Sequence, residues 1–201
     1  VRRNVPIWQV LRLVLFGGIL SLFVALVLFE NTGFLEKSLG ASVAALVEEP
    51  AKLAALLFLM KGKRKFSYIL NGLLLGAAVG CGFAAFESAG YALRYGLMDI
   101  KDMIGVIQLR GLLSPFGHIV WTAIAGAAMW RVKRGGRFTM ALCKNKDFYM
   151  PFAIVVVCHG IWNSDFELPF WGKYVACGFV AWVTALSLLN LGIKQIKDEK
   201  A

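Results

Sequence analysis

Apolar runs long enough to cross a lipid bilayer recur along this sequence, separated by short charged stretches. A helix needs about 20 predominantly apolar residues to traverse the hydrocarbon core, so each such run reads as a candidate span. Six blocks meet or approach that length: 8–29, 40–60, 69–93, 111–130, 148–163 and 174–193. Apolar residues make up 59% of the chain and charged residues only 17%, against roughly 25% charged in soluble domains. The expectation is an all-α, polytopic transmembrane helical bundle of about six spans, with residues 1–201 forming one domain. The fifth block is short and stops before Asp165, so it spans either by recruiting Phe166 or by rising from an interfacial stretch. Basic residues precede the first block, as in a signal peptide, but its length and the lack of a prompt small-x-small cleavage site favour a retained span.

The formal net charge of +10 invites a nucleic-acid reading, and its distribution argues against one. Arg2 and Arg3 precede the first block, and Lys61, Lys63, Arg64 and Lys65 fill the second connection. Arg131, Lys133, Arg134, Arg137, Lys144 and Lys146 fill the fourth, and Lys194, Lys197 and Lys200 follow the last block. The intervening connections mix signs or are acidic: Glu30, Glu36 and Lys37, then Arg94, Asp99, Lys101 and Asp102, then Asp165 and Glu167. Every second connection is therefore basic, as six crossings require, and the positive-inside rule puts both termini in the cytoplasm. Cys81, Cys143, Cys158 and Cys177 lack the C-x-x-C spacing of a metal or redox site and read as apolar filler.

Against this background several ionisable residues stand where lipid would reject them. Glu48, Glu49 and Lys52 lie inside the second block. A mid-span ionisable side chain costs roughly 2.5 to 3.5 kcal/mol on insertion scales, against about 0.3 to 0.6 gained per large apolar residue. These three must face protein or water, which makes them a functional hypothesis. Glu48 and Lys52 share a helix face, and Glu49 is within i, i+3 reach of the same lysine, so one acid can pair and the other remain for chemistry. Pro50 withholds a helical donor from the Leu46 carbonyl and adds a polar group nearby. Glu87 is the only acid of the third block, and both histidines of the chain, His118 and His159, fall inside blocks, each four residues before a polar partner, Thr122 or Asn163.

Counted from the block ends, Glu48, Glu87, His118 and His159 lie at similar depths, roughly 7 to 13 Å beneath the extracytoplasmic surface at about 1.5 Å per residue. They can meet in one cavity. A desolvated carboxylate there can take a proton from water and return it to a leaving amine. A histidine and the Asn163 amide can donate to the oxyanion. Nothing pairs a serine or cysteine with a base, so direct attack by water is favoured over an acyl-enzyme. The same donors, Glu48, Glu87, His118 and His159, also suit a divalent metal such as zinc, although the H-E-x-x-H helix signature is absent; metal-bound and metal-free water both remain open. Buried Glu, Lys and His also serve ion- or proton-coupled transporters, the leading alternative class, and a scaffold held by ion pairs is the other.

At these residues the chain resembles the PrsW family of polytopic membrane proteases, related to the CAAX prenyl proteases and bacteriocin-processing enzymes. The matches are E-E-x-x-K at 48–52, F-x-x-x-E at 83–87, histidine followed by W-T-A at 118–123 and H-x-x-W-N at 159–163, in family order and each on its own block. The resemblance implies a site-1-type intramembrane endopeptidase of a bacterial cytoplasmic membrane, cutting a single-pass membrane protein such as an anti-sigma factor. It implies Glu48 or Glu49 as the base, His159 and Asn163 at the oxyanion, and Lys52, Glu87 and His118 as further site residues. The related prenyl proteases carry histidine where this chain has Glu87, and His118 is the candidate for that base-histidine pairing.

Overall fold

The computed structural model describes residues 5–199, which are helical with no strand among them. Arg2, Arg3 and Lys200, part of the charge pattern, lie outside the described residues. Helix α1 (Ile7–Arg12) passes through one π-helical turn, Leu13–Gly17, into α2 (Gly18–Leu39). Gly40, at φ +54°, breaks the helix, and α3 (Val43–Leu59) packs along α2. A residue with a Cβ rarely takes that φ. There follow α4 (Ile69–Gly96), α5 (Ile100–Leu113), α6 (His118–Lys133), α7 (Lys146–Asn163) and α8 (Gly172–Asp198).

Among the described residues, four stretches are long and apolar enough to cross a membrane: Ile7–Leu59, Ile69–Gly96, Ile100–Lys133 and Pro169–Asp198. The first has 53 residues, about 80 Å if straight, well over twice the ~30 Å hydrocarbon core. The fold at Gly40 resolves this into two arms. Helix α7 has 18 residues, with Lys146 and Asp147 in its first turn and Asn145 capping it at 2.9 Å, and it is not among the four. Phe166 does not extend it, because the helix ends at Asn163.

The organising element is α6, in which every residue from Val120 to Trp130 is buried. It packs most extensively on α4, through a seam of small residues. Gly72, Gly76 and Gly80 recur at every fourth position of α4 and face α6. A Cβ at Gly76 would stand 2.3 Å from the Thr122 carbonyl oxygen, one at Gly80 2.3 Å from that of His118, and one at Gly126 2.4 Å from that of Gly72. In lipid there is no hydrophobic gain from bringing apolar helices together, so such seams, where backbones touch, supply the association through close packing. The outward faces carry Phe23, Leu26, Val175, Phe179 and Leu186, all exposed, as lipid contact would have them.

The fourth predicted span needs correction. The sequence reading starts it at Gly111 and puts His118 about two turns inside. In the structure α5 runs to Leu113, a short turn follows over Ser114–Phe116, and His118 is the first residue of α6. Pro115 lacks an N–H and Gly117 leaves helical geometry at φ −116°, ψ −120°, so the apolar run is continuous while the helix is not. Helix α5 buries none of its residues and lies against α4.

Candidate active site

Helix α3 brings three ionisable side chains into the bundle: Glu48, Glu49 and Lys52 are 7%, 1% and 0% exposed. Lys52 Nζ donates to Glu49 Oε1 at 2.6 Å, the i, i+3 pairing. Glu48, one residue earlier, points elsewhere, and its buried Oε2 has no hydrogen-bond partner.

Helix α7 answers with His159. Its Nδ1 lies 2.7 Å from Glu49 Oε1, and because a carboxylate accepts, Nδ1 carries the hydrogen and Nε2 the lone pair. That Nε2 is 3.2 Å from Asn163 Nδ2, one turn on, and 3.8 Å from Glu48 Oε2. The His159 ring stacks on Trp121, with centroids 4.5 Å apart, and Trp121 also meets His118 edge-on at 5.4 Å.

The same logic orders His118. Its Nε2 lies 3.0 Å from Glu87 Oε2 on α4, and its Nδ1 accepts from Lys52 Nζ at 3.0 Å. Nδ1 is also 4.0 Å from Glu48 Oε2. Behind Glu87 stands Arg110 of α5, which donates through Nη2 to Glu87 Oε2 and through Nε to Ser88 at 3.0 Å, its guanidinium lying over the Tyr91 ring. Phe83 closes the floor, 5.2 Å from the His118 ring and 4.7 Å from Lys52 Nζ.

Each histidine therefore has a carboxylate behind it, Glu49 for His159 and Glu87 for His118, and presents its other nitrogen toward Glu48. A carboxylate behind each imidazole is the usual support of metal-binding histidines. One donor atom from each of Glu48, His118 and His159 lies within 4.8 Å of the other two. Donors about 4 Å apart leave their centre roughly 2.3 Å from each, close to zinc–nitrogen and zinc–oxygen distances of about 2.0 to 2.2 Å. The orphaned Oε2 of Glu48 gives such an ion a reason to be there, whereas Lys52 already occupies the Nδ1 lone pair of His118 and would have to release it. Of the three acids in this cluster, Glu49 pairs with Lys52 and Glu87 with Arg110, and Glu48 has no cation of its own.

Two cavities reach the cluster. One of about 410 Å³ is lined by Glu48, Glu87, Arg110, His118, His159 and Asn163. The other, about 530 Å³, lies toward α8 and is lined by Trp121, Leu168, Trp171 and Tyr174. Arg110, His118 and Trp162 line both.

All seven residues singled out in the sequence, Glu48, Glu49, Lys52, Glu87, His118, His159 and Asn163, stand in this one network. Sequence reasoning missed Arg110 and Trp121. Arg110 was legible only as a lone arginine among leucines at the edge of a block, whereas Trp121 stood in the W-T-A stretch after His118 without a part in the site being assigned to it. Glu87 and His118 differ from their expected settings: α4 continues nine residues past Glu87 to Gly96, and His118 stands at a helix start.

A sequence model of one protein family, described as PrsW family intramembrane metalloprotease, matches residues 5–189. No curated protein and no solved structure gives a significant match. The family match favours a peptidase and lends nothing to the transporter reading. A match over most of the chain, on a helical bundle with several membrane-crossing helices, shows that the chain belongs to the PrsW family of intramembrane metalloproteases and is a multi-pass, membrane-embedded peptidase.

Proposed function

We propose that this peptidase hydrolyses a peptide bond in a single-pass membrane protein, such as an anti-sigma factor, using a water activated between Glu48, His118 and His159. The observation that carries the reading is the unpartnered Oε2 of Glu48, facing ring nitrogens of two histidines that are each held by another carboxylate. Glu48 takes a proton from the attacking water and returns it to the departing amine nitrogen. Asn163, through Nδ2, is the donor that defines the side on which the oxyanion forms, and the Nε2 of His159, which carries a lone pair, orients that amide. Glu49 and Glu87 hold the two imidazoles, and Lys52 balances the buried charge of Glu49. Glu48, His118 and His159 are also the residues that would hold a divalent ion such as zinc; Glu48 would then serve as a ligand in place of its role as base, and the ion would polarise the scissile carbonyl and lower the pKa of its water to about 7.

We read six crossings, with α7 as the fifth, both termini in the cytoplasm of a bacterial cell and the cluster in the outer half of the bilayer; the alternation of basic connections supports this. A substrate helix hides its carbonyls in hydrogen bonds and must unwind before attack, most easily near an end where water penetrates. Cleavage therefore falls at the extracytoplasmic end of the substrate span. The test is co-reconstitution of purified protein with a single-pass substrate in liposomes, with mass spectrometry of the fragments and metal analysis of the enzyme. Cleavage lost in Glu48→Gln, lost on chelation and restored by zinc supports the reading. A cut at the cytoplasmic end, or full activity in Glu48→Gln, overturns it.

A further inference from the structure

Helices α3 and α6 end side by side at the end of the bundle remote from the catalytic cluster. Twelve residues separate Glu48 from Met60 and His118 from Trp130, which is about 18 Å along either helix. Between these ends lies a cavity of about 360 Å³, inside the roughly 300 to 1,000 Å³ range of small-molecule sites. Its wall combines Leu57, Met60, Trp130 and Phe138 with the cations Lys61, Lys63, Arg64, Lys133 and Arg137, and among the described residues no acid lines it.

The five cations are not equivalent. Lys133 is occupied with its own helix end: Nζ lies 3.2 and 3.4 Å from the carbonyl oxygens of Arg134 and Gly136, above the Trp130 ring. Lys61, Lys63, Arg64 and Arg137 have no carboxylate within ion-pair distance among the described residues, and the nearby acid Asp147 is taken by Arg131 at 3.1 Å. Two backbone turns at positive φ, Gly62 (+78°) and Arg134 (+49°), stand at the helix ends bordering the cavity. A non-glycine residue persists at positive φ only where its surroundings hold it there. The Trp130 indole, bonded to the Phe66 carbonyl at 2.7 Å, ties the connection after α3 to α6. Convergent cations without a counter-charge repel one another, and a phosphate between them forms charge-assisted hydrogen bonds instead.

We propose that this cavity binds the phosphate of an anionic phospholipid, of the phosphatidylglycerol type, at the membrane boundary opposite the active site. A free anion needs only the cations. The apolar wall, of which Phe138 is itself exposed, gives an attached glycerol and acyl chain a path to the outside of the bundle. Basic pockets between helix ends are where membrane proteins take anionic headgroups.

Native mass spectrometry of the purified protein, incubated with phosphatidylglycerol or phosphatidylcholine, tests this without reference to proteolysis. Wild type should retain phosphatidylglycerol about 10-fold more than phosphatidylcholine. Lys63→Gln/Arg64→Gln/Arg137→Gln should abolish that preference, while Lys144→Gln/Lys146→Gln/Lys197→Gln, which removes the same charge elsewhere, should keep it. Equal retention of the two lipids by wild type overturns the proposal with no variant needed. Equal loss in both triple variants overturns it in favour of diffuse surface charge. Displacement of the bound lipid by millimolar inorganic phosphate overturns it in favour of a free-anion site.

Discussion

The Nδ1 of His159 stands 2.7 Å from Glu49 Oε1, the same oxygen that Lys52 meets at 2.6 Å. This shared oxygen separates two neighbouring acids into different roles. Glu49 holds a lysine and a histidine, and Glu48 keeps Oε2 unpartnered, the basis of its proposed role as the group that meets water.

That separation predicts different failures for the two glutamines. Glu48→Gln should lower kcat by about 10²- to 10⁴-fold, the usual worth of a general base, with thermal stability in detergent close to wild type. Glu49→Gln should lower activity and melting temperature together, because it strips the counter-charge from Lys52. Single-turnover cleavage alongside thermal denaturation distinguishes them, and matching stability losses in the two variants would contradict the assignment.

Lys52→Met leaves a buried carboxylate without its cation. Removing one partner of a buried ion pair costs about 3 to 5 kcal/mol, whereas replacing both by apolar groups is often neutral. The single variant should therefore fail to accumulate in membranes, and Lys52→Met/Glu49→Leu should accumulate again yet remain inactive, since His159 has lost its carboxylate. Membrane yield and cleavage, measured on both proteins, check this.

In the proposed mechanism Glu87, 3.0 Å from His118 Nε2, acts through that histidine. Loss of a carboxylate behind a functional imidazole typically costs 10- to 100-fold in activity or metal affinity. Glu87→Ala should show a loss of that order in kcat, with KM little changed. Arg110→Met, one step further out, should show a smaller loss in the same direction, and an effect confined to KM would place Arg110 on the substrate instead.

Gly76→Val inserts bulk where a Cβ alone would already meet the Thr122 carbonyl oxygen at 2.3 Å. Overpacking costs typically 1 to 3 kcal/mol, and more where the obstruction is backbone that cannot yield. Gly90, with open space around its Cβ position on the same helix, is the control: Gly90→Val should melt near the wild-type temperature while Gly76→Val melts well below it.

Hydrophobic length alone, read from the sequence, marks this chain as a membrane-crossing helical protein, because a bilayer tolerates no unsatisfied backbone and makes each apolar block a helix. The cost of ionisable groups in lipid picked out Glu48, Glu49, Lys52, Glu87, His118 and His159, since that cost attaches to residue type and needs no coordinates. Asn163 followed from its spacing of one turn beyond His159. Where helices stop inside an apolar block was not legible: the break at Pro115 and Gly117 that puts His118 at the head of α6 depends on local backbone geometry, which hydropathy does not register. Only the tertiary structure decided which acid pairs with Lys52, which carboxylate stands behind which histidine, and that Arg110 joins them. Those contacts join α3, α4, α5, α6 and α7 across large sequence separations, and the glycine seam that brings His118 against α4 sets them to within ångströms. Residue spacing along one helix carries no information about the rotation of the next.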